Sequence, residues 1–411
     1  MLLSLADELI AAPGPAFANA RICFWSPHAK ALLTVEPAQV GPLVAFFPSL
    51  AGRYDAAGLV RIPYVSQVTR AVATSLPRAL RYRLFPADSG VGLFELWAQR
   101  SGVRLTEVDL DAGDSLFLPG SFWLGDHMGP LFREARAAGA SVTAFVHDML
   151  LLSHPEWRPG AIARRFRRGC QARLPRCAAV ICNSRQTASE LRRLIRLPAE
   201  LAVEACRFAD IPQAAPGVPP AALERLAGAP YVLVVSTLIP RKNHQLLVEA
   251  WRELWRRHGP ATPYLVFAGG GAPDRRLAEV MAAEAAEGGR LLRLGGVDDA
   301  ALERLYADAW LTAYPSLGEG YGLPVAEALS RGKVCLAGPV EGVSEAGAGL
   351  IDLIDPRAPQ SVVAAVSGYL AEPARLAARM AEIAAGYRRT SWAQTAATVR
   401  AVLENTVAGP R

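Results

Sequence analysis

Residues 310–337 read WLTAYPSLGEGYGLPVAEALSRGKVCLA, and this stretch decides the fold. Trp310–Tyr314 and Val334–Ala337 are short apolar runs, so both are predicted to be strands. Between them, a loop with three glycines leads into a helix that begins near Pro324, a residue favoured at the first helical position. A strand, a helix and a second strand within 28 residues predict a parallel βαβ unit.

The same alternation extends along the rest of the chain. Helical periodicity is found in Gln245–Arg257 and Ala300–Ala309. The run YVLVVS at 231–236 is largely apolar, as expected for a strand covered by helices on both faces. Further predicted strands are Arg21–Trp25, Ser115–Leu118, Ser141–Val146, Ala179–Cys182, Tyr231–Val235, Tyr264–Ala268 and Leu291–Leu294. We therefore predict an α/β protein with parallel sheets.

A proline-rich segment marks the predicted domain boundary. Residues 212–220, PQAAPGVPP, contain four prolines in nine positions and cannot continue a helix or a central strand. The boundary predicts one α/β domain in residues 1–212 and a second in 213–411. The last helical segment, Ala374–Val407, either closes the second domain or crosses back to the first.

Composition excludes several classes of protein. The chain has 411 residues, of which 51% are hydrophobic, and a formal net charge of only +6, so disorder is excluded as its main state. No apolar run approaches the length of a membrane-spanning helix. Asp7 and Glu8 lie where a signal peptide would have a basic segment and an apolar core, so we expect a cytoplasmic protein. The six cysteines match no zinc-binding spacing, and we expect buried, unreactive thiols.

A basic motif follows the predicted strand Tyr231–Val235. The sequence STLIPRKNHQLLVEAW at 236–251 places Arg241 and Lys242 after the carboxyl end of a parallel strand and near the start of a helix. Ligands of open α/β sheets bind at that edge, and two cations beside free helix amides suit a diphosphate. The alternative is a solvated charged loop.

Two carboxylates belong to the glycine-rich stretch. Glu319 lies in the loop and Glu327 lies on the following helix, so both can face one cleft. Carboxylates accept hydrogen bonds from hydroxyl groups, which makes a sugar or ribose a natural ligand. The alternative is an ordinary loop acid and an acid near a helix start. A third loop, Gly295–Asp299, can present Val297 to a flat ring, or it serves only as a helix cap.

The order of these motifs resembles the nucleotide-sugar-binding domain of glycosyltransferase family 4, retaining enzymes of GT-B fold. The resemblance covers roughly residues 228–405 and includes TSWAQTAATV at 390–399. It implies two Rossmann-like domains whose parallel sheets face a central cleft. It assigns Arg241 and Lys242 to the donor diphosphate, Glu327 to the ribose and Glu319 to the sugar hydroxyls. The implied donor-binding set is Arg241, Lys242, Val297, Glu319, Gly320, Tyr321, Gly322, Leu323 and Glu327.

Two segments of the first half resemble the same family. VHDMLLLSHPEW at 146–157 would bring His147 close to the donor sugar, although a structural loop histidine is the alternative. AAVICNSRQTASEL at 178–191 matches a strand and a helix that Asn183 or Ser184 would cap.

The chain departs from the family pattern at three places. Tyr321 replaces a frequent Phe, Thr237 replaces a frequent Arg, and ICFWSPHAKALL at 22–33 lacks the family's glycines.

The resemblance implies a retaining hexosyltransferase that adds a sugar, with GDP-mannose favoured as donor, to a growing bacterial polysaccharide or lipid-linked oligosaccharide. His147, Glu319, Arg241 and Lys242 are the expected catalytic residues, and a same-face transfer is preferred because no convincing nucleophile is evident. We expect no metal and no cofactor besides the nucleotide sugar. The alternatives are a nucleotide-sugar epimerase of GT-B fold and an inactive scaffold subunit of a glycan-assembly complex.

Two charged segments suggest further ligands. Asp109 and Asp111 form a D-x-D pair, which chelates a metal in another glycosyltransferase fold but has no supporting context here. The arginine block Arg164–Arg176 is either a solvated helix face or a contact with anionic lipid, into which Phe166 and Leu174 could insert. The second interpretation would make the protein peripheral on the inner face of the cytoplasmic membrane. Few aromatic residues lie among these arginines, so nucleic acid is not expected as a partner.

Overall fold

The computed structural model describes residues 23–26, 31–35, 105–120, 122–123, 128–157, 160–210, 217–218, 221–226, 228–286 and 289–408. The chain divides into two compact units. One comprises Met1–Phe117, Leu124–Val142 and Leu403–Arg411, and the other comprises Leu118–Trp123 and Thr143–Val402. Most of the proline-rich segment at 212–220 lies outside the described residues, so the predicted domain boundary stays a prediction.

Strands and helices alternate through most of the described chain. The strands are β1 (Cys23–Ser26), β2 (Ala31–Val35), β3 (Leu105–Val108), β4 (Ser115–Leu118), β5 (Ser141–Val146), β6 (Ala179–Cys182), β7 (Ala202–Ala205), β8 (Tyr231–Val235), β9 (Tyr264–Ala268), β10 (Leu291–Gly295), β11 (Leu311–Tyr314), β12 (Cys335–Ala337) and β13 (Asp352–Leu353). The helices are α1 (Met128–Ala138), α2 (Leu150–Ser153), α3 (Gly160–Arg173), α4 (Arg185–Leu194), α5 (His244–His258), α6 (Arg275–Ala286), α7 (Asp299–Asp308), α8 (Leu323–Ser330), α9 (Glu341–Gly347), α10 (Pro359–Ala371), α11 (Pro373–Gly386) and α12 (Trp392–Ala408).

Strands β8 to β13 form one parallel sheet in the second unit. Its strand order is β10-β9-β8-β11-β12-β13, and each neighbouring pair is parallel. All residues of β11 are buried, as are the first four of β8, because helices cover both faces. This order is that of a doubly wound dinucleotide-binding sheet, with the topological switch point between β8 and β11. The α/β prediction is therefore confirmed, and the loops after β8 and β11 lie where such sheets bind ligands.

A second sheet has the strand order β4-β5-β6-β7, and within it β5, β6 and β7 are parallel. Thr143 pairs with Ala179, and Ala179 pairs with Ala202. Every residue of β6 is buried, which explains its continuous apolar run. Ser184 caps the following helix α4, since its Oγ accepts a hydrogen bond from the amide of Thr187 at 3.0 Å. Ser184, one of the two residues predicted to cap this helix, therefore does so.

The first predicted strand is found, but it does not belong to a parallel sheet. β1 pairs antiparallel with β2, and β2 pairs antiparallel with β3, in a sheet within the first unit. Only four residues separate β1 from β2, too few for the helical crossover that a parallel pair requires. The prediction that Arg21–Trp25 belongs to a parallel sheet is therefore wrong. Strands β2 and β3 were not predicted from the sequence.

The arginine block lies on α3 and the turn that follows it. Phe166 and Leu174 are buried, with 4% and 0% of their surface exposed. The Phe166 ring packs edge-on against Trp123 at a centroid distance of 5.1 Å. The idea that Phe166 and Leu174 insert into a membrane is therefore wrong, because both belong to the core. Within the described residues, no helix has the length and apolarity needed to span a bilayer.

Five of the six cysteines are buried as predicted, whereas Cys23 is only partly buried. Cys170, Cys177, Cys182, Cys206 and Cys335 are buried and unpaired. Burial raises the pKa of the Cys170 thiol to about 12, so it stays protonated and unreactive near neutral pH.

The loop after β9 permits a direct test of the fold around the switch point. Gly269 has φ +148°, and a Cβ placed on it would lie 2.1 Å from the carbonyl oxygen of Ser236 at the end of β8. Gly270 has open space around the same position. We expect Gly269→Ala to lower the free energy of unfolding by about 2–4 kcal/mol, whereas Gly270→Ala changes it by less than about 0.5 kcal/mol. Urea denaturation of both variants measures this, and equal stabilities would contradict the close approach of the two loops.

Candidate functional site

A buried carboxylate joins the loops that follow β8 and β11. Glu319 is 7% exposed, and its Oε1 accepts hydrogen bonds from Arg241 Nη1 at 2.5 Å, Lys242 Nζ at 2.6 Å and Ser316 Oγ at 2.5 Å. We call Arg241, Lys242, Ser316 and Glu319 the Glu319 cluster. Three of its members were singled out from the sequence, and the structure brings them together. Ser316 was missed because nothing in PSLGEG distinguishes its hydroxyl from that of an ordinary turn serine.

Backbone contacts hold the two loops in register. The amide of Leu317 donates to the carbonyl of Arg241 at 2.9 Å, and the Arg241 side chain donates to the carbonyl of Gly318 at 2.8 Å. Asn243 adopts a left-handed conformation with φ 58°. Its Nδ2 donates to the carbonyls of Pro315 at 3.3 Å and Pro356 at 2.7 Å. The Glu319 cluster is therefore preorganised by main-chain as well as side-chain bonds.

The charges of the cluster do not cancel, because two cations surround one carboxylate. Burial alone would raise the pKa of Glu319, but Lys242 and Arg241 outweigh it and hold that pKa below its usual value. Burial lowers the pKa of Lys242, although Glu319 opposes the shift. The Lys242 ammonium also donates to Tyr314 Oη at 2.5 Å and lies 4.7 Å from the centre of that ring. The two cations outnumber the carboxylate within the cluster, and the nearby carboxyl of Asp148, whose pKa burial raises, also interacts with Arg241 and Lys242.

Glu327 lies on α8 with a different set of partners. Its Oε2 accepts a hydrogen bond from Tyr306 Oη at 2.6 Å, and only 3% of the residue is exposed. Burial raises its pKa, against the opposing effects of the Tyr306 hydrogen bond and the charge of Arg331. The side chain of Glu327 is thus buried with a neutral hydroxyl, whereas Glu319 is buried with cations.

The start of α8 is a second feature suited to an anion. The helix begins at Leu323, after Gly322 with φ 105°, and no side chain caps its first amides. Pro324 has no amide hydrogen, and the amides of Val325 and Ala326 donate to the carbonyl of Gly322. An anion at this end would therefore meet the positive end of the helix dipole rather than a row of free amides.

His147 follows β5 and is held in one orientation. Its Nε2 lies 2.7 Å from the carbonyl oxygen of Pro119, and since a carbonyl only accepts, this nitrogen carries the proton. The ring lies against Phe145 and Phe208 at centroid distances of 4.9 and 5.8 Å. Burial lowers the pKa of His147, although the Pro119 carbonyl and Asp148 oppose the shift, so the imidazole is neutral at pH 7.

The glycine-rich loop touches the residues that follow β5 and β6. A Cβ on Gly320 would lie 2.4 Å from the carbonyl oxygen of His147 and 2.8 Å from Cβ of Asp148, so only glycine fits there. The carbonyl of Gly320 accepts a hydrogen bond from Ser184 Oγ at 2.6 Å. Sequence reasoning assigned Ser184 only to capping α4, and its second contact was missed because Gly320 is distant in sequence.

Val297 lies between β10 and α7 and is partly exposed. Its neighbour Asp298 caps α7, with Oδ1 accepting a hydrogen bond from the amide of Ala301 at 2.8 Å. Val297 follows β10, which is separated in the sheet by β9 from β8, the strand that precedes Arg241 and Lys242. The structure thus bears out the helix cap and leaves a role of Val297 toward a nucleobase as a prediction.

The D-x-D pair gains no support as a metal site. Asp109 and Asp111 are exposed, and the amide of Asp111 is bonded to the carboxylate of Asp114 at 2.8 Å, as in an ordinary turn. Among the residues that the structure describes, no group of three or more His, Cys, Asp or Glu side chains is placed to hold a metal ion. Independence from metal stays a prediction.

Comparison with known sequences identifies the region that carries the Glu319 cluster. The family model described as glycosyl transferases group 1 matches residues 221–386. The O-antigen chain mannosyltransferase B of Escherichia coli is 32% identical over 208 residues, which are 50% of this chain and 54% of that protein. The serotype-specific mannosyltransferase WbdA of Escherichia coli is 31% identical over 209 residues, 48% of this chain and 26% of that protein. The chain thus spans only about half, or a quarter, of the length of these relatives.

Comparison with solved structures identifies the fold. Sucrose-phosphate synthase from Thermosynechococcus elongatus matches with a TM-score of 0.56 at 20% identity, over 85% of this chain and 83% of that one. Alr3699/HepE of Anabaena, solved in complex with UDP and glucose, matches with a TM-score of 0.56 at 18% identity, over 71% of this chain and 77% of that one. At these identities the likeness shows the fold, which is the α/β GT-B fold.

His244, the first residue of α5, makes the pH dependence of this region testable. It is 2% exposed, its Nε2 lies 2.9 Å from Ser236 Oγ, and burial, with Lys242 nearby, lowers its pKa from 6.5 to about 4. The unfolded chain therefore binds this proton first as the pH falls. The stabilisation from neutral His244 is complete above pH 6.5 and is lost as the pH falls toward 4, by up to about 3 kcal/mol.

We expect His244→Gln, which keeps a polar group near Ser236, to remove this part of the acid sensitivity. Urea unfolding at pH 7.5 and pH 4.5 should show the free energy of unfolding falling about 2–3 kcal/mol less in the variant than in the wild type. If the free energy of unfolding fell by the same amount in both proteins between pH 7.5 and pH 4.5, His244 would not be the neutral, buried histidine that the structure indicates.

Proposed function

We propose that this chain, whose residues 221–386 form a glycosyl transferases group 1 domain, is a retaining hexosyltransferase. It takes a hexose, with mannose from GDP-mannose favoured, from a nucleotide diphosphate donor and adds it to a growing glycan. One observation carries the proposal: Arg241 and Lys242 both donate hydrogen bonds to the same oxygen of Glu319, at the switch point of the sheet. Such a pocket offers a diphosphate two cations and offers sugar hydroxyls one ionised acceptor.

The cations act on the leaving group. As the bond from the anomeric carbon to the diphosphate breaks, negative charge grows on the phosphate oxygen and positive charge grows on the sugar. Arg241, Lys242 and the positive end of the α8 dipole stabilise that phosphate charge without reorganising. Glu319 remains ionised because of the same cations, so it can orient the sugar and balance its developing charge.

Transfer on one face of the sugar fits the state of Glu319. The new bond forms between the acceptor oxygen and the anomeric carbon on the side from which the diphosphate leaves, and the acceptor proton passes to a departing phosphate oxygen. Three donors bond to Glu319 Oε1, and the cations hold the pKa of the carboxylate below its usual value. A less basic carboxylate is a poorer nucleophile for a double displacement. Trapping of a covalent sugar–protein intermediate would contradict this step.

Mannose is favoured by the sequence relatives. The two Escherichia coli proteins described above are mannosyltransferases at 31–32% identity, whereas the structural neighbour solved with UDP is more distant, at 18%. A thermal-shift screen of GDP, UDP and dTDP, followed by their sugars, identifies the base first and the hexose second, since a ligand of the folded state raises the melting temperature.

A glycan or lipid-linked glycan is the proposed acceptor. The positive formal charge lies in residues 1–215, and the exposed arginines Arg164, Arg167 and Arg168 on α3 support contact with an anionic lipid surface. Because Phe166 is buried, that contact would be electrostatic and should weaken with salt.

An epimerase of the same fold is the second candidate, since it needs the same nucleotide-sugar pocket. It would convert its donor without any acceptor, so turnover assays with and without glycan separate the two activities. The complete Glu319 cluster argues against an inactive scaffold, which has no need to keep two buried cations.

We expect Lys242→Met to weaken binding of the preferred nucleoside diphosphate by about 10–100-fold, because a charge-assisted bond to phosphate is lost. Arg241 and Ser316 still satisfy Glu319 in this variant, so the chain should fold. Calorimetric titration of GDP and UDP measures the effect. The control is Lys333→Met, which removes bonds to the carbonyls of Ala307 and Ala309 and should leave the affinity unchanged; unaltered affinity in Lys242→Met would refute the diphosphate pocket.

We expect Glu319→Gln to bind GDP about 3–10-fold more tightly while losing at least about 100-fold in sugar transfer. The carboxylate repels phosphate and competes for Arg241 and Lys242, but it is also the group that orients the sugar. Calorimetry and a transfer assay measure the two effects, with Glu279→Gln on the exposed face of α6 as the control. Weaker GDP binding in Glu319→Gln would mean that the carboxylate is needed to build the cation pocket rather than to serve the sugar.

A further inference from the structure

The segment that follows β7, residues 206–210 with the sequence CRFAD, is absent from the sequence-based site. The amide of Cys206 donates to the carbonyl of Cys182 at 2.7 Å, which continues the sheet by one residue. Phe208 and Asp210 are each 2% exposed. The segment therefore leaves the carboxyl end of a parallel strand and enters the core, at the sheet edge that also carries His147 and Ser184.

Arg207 connects this segment to the glycine-rich loop. Its Nε donates to Tyr321 Oη at 3.0 Å, and its Nη2 donates to Tyr387 Oη at 2.9 Å. Tyr387 in turn donates to Asp210 Oδ1 at 3.0 Å, and Asp210 Oδ2 accepts from the amide of Thr390 at 3.2 Å. We call the bonds from Arg207 to Tyr321 and Tyr387 the tyrosine bridge.

Tyr321 lies in the middle of GEGYG, between Gly320 and Gly322, and is 3% exposed. Sequence reasoning treated this hydroxyl as a mild departure from the Phe of the family pattern. In the structure the Tyr321 hydroxyl accepts a hydrogen bond from Arg207. Without this hydroxyl, the half-buried guanidinium of Arg207 would lose the partner of its Nε donor.

Phe208 extends the same connection to His147. Its ring lies edge-on to Tyr321 at a centroid distance of 6.3 Å and stacks with His147 at 5.8 Å. Adjacent residues of one segment thus contact the glycine-rich loop and the candidate catalytic histidine. A displacement of Tyr321 would be felt at Gly320 and Glu319 on one side and at His147 on the other.

We propose that Arg207 and Tyr321 are positioning residues that fix the glycine-rich loop in the geometry that binds the donor. Their side chains act indirectly, through the backbone of Gly320–Gly322, which belongs to the implied donor-binding set, and through the neighbouring carboxylate of Glu319. The proposal rests on the proposed function for what the loop binds, but not for the bridge itself. Tyr387 contributes to the other end of the bridge, away from the loop, and serves stability alone.

The two tyrosines provide a matched pair of variants, because each loses one hydroxyl bonded to Arg207. We expect Tyr321→Phe to raise the KM for the donor, or the dissociation constant for GDP, by about 5–10-fold, with a melting temperature within about 2 °C of the wild type. We expect Tyr387→Phe to lower the melting temperature by more than Tyr321→Phe does and to leave the donor KM unchanged. If Tyr321→Phe has wild-type KM and kcat, the positioning role is refuted.

A double-variant cycle tests whether the effect passes through Arg207. Arg207→Met and the double variant Arg207→Met/Tyr321→Phe should show the same increase in KM, since either change breaks the same bond. Arg207→Lys, which keeps a donor able to reach Tyr321, should recover part of the affinity. Additive losses in the double variant would show that the two residues act independently and would overturn the proposal.

Hydrogen exchange separates failure of this proposal from failure of the proposed function. In the ligand-free chain, amides of residues 318–323 should exchange about 5–10-fold faster in Tyr321→Phe than in the wild type or Tyr387→Phe. A wild type that binds no nucleoside diphosphate yet shows this pattern would reject the hexosyltransferase while leaving the positioning of the loop intact. Unchanged exchange in Tyr321→Phe would reject the positioning itself.

Discussion

The arrangement of the site depends on one buried carboxylate oxygen. Glu319 Oε1 accepts hydrogen bonds from Arg241, Lys242 and Ser316 at 2.5–2.6 Å. Burying a carboxylate costs free energy unless such partners compensate for the lost water. Equally, two cations side by side would repel each other without it. These bonds therefore hold the loops after β8 and β11 together, at the edge where a doubly wound sheet binds its ligand.

The second constraint is the closeness of two backbones. The carbonyl of Gly320 accepts a hydrogen bond from Ser184 Oγ at 2.6 Å. The backbone of His147 lies so close to Gly320 that no side chain would fit there. Glu345 of α9 adds to the same contact, since its carboxylate accepts the amide of Arg185 at the start of α4 at 2.9 Å. The ends of β5 and β6 thus meet the loop after β11 through one close backbone approach and a short bond from a side chain to the backbone.

The parts predictable from sequence are those that obey a local rule. Strands such as β8 and β11 are apolar throughout because both faces are covered, and parallel strands bring Arg241 and Glu319 to one edge whatever the details. Arg207 was missed because its partners, Tyr321 and Tyr387, are distant in sequence. Ser316 was missed although its partner Glu319 is only three residues away, because its hydroxyl looks like that of an ordinary turn serine. Phe166 was misinterpreted because an amphipathic pattern shows which face is apolar but not whether Trp123 or a lipid covers it.

Glu319 and Glu327 show how little a spacing says about chemistry. Both are buried glutamates of one motif with seven residues between them, yet cations hold the pKa of Glu319 below its usual value, and burial raises that of Glu327. The difference lies in the partners, two charged groups for Glu319 and the Tyr306 hydroxyl for Glu327. An ionised acid suits a centre where positive charge develops, whereas an acid buried beside a neutral hydroxyl suits a neutral hydroxyl of a ligand. The loop and the first turn of the helix thus provide two different electrostatic environments, and the identity of the neighbouring groups, not the spacing, decides in which direction the pKa of each acid moves.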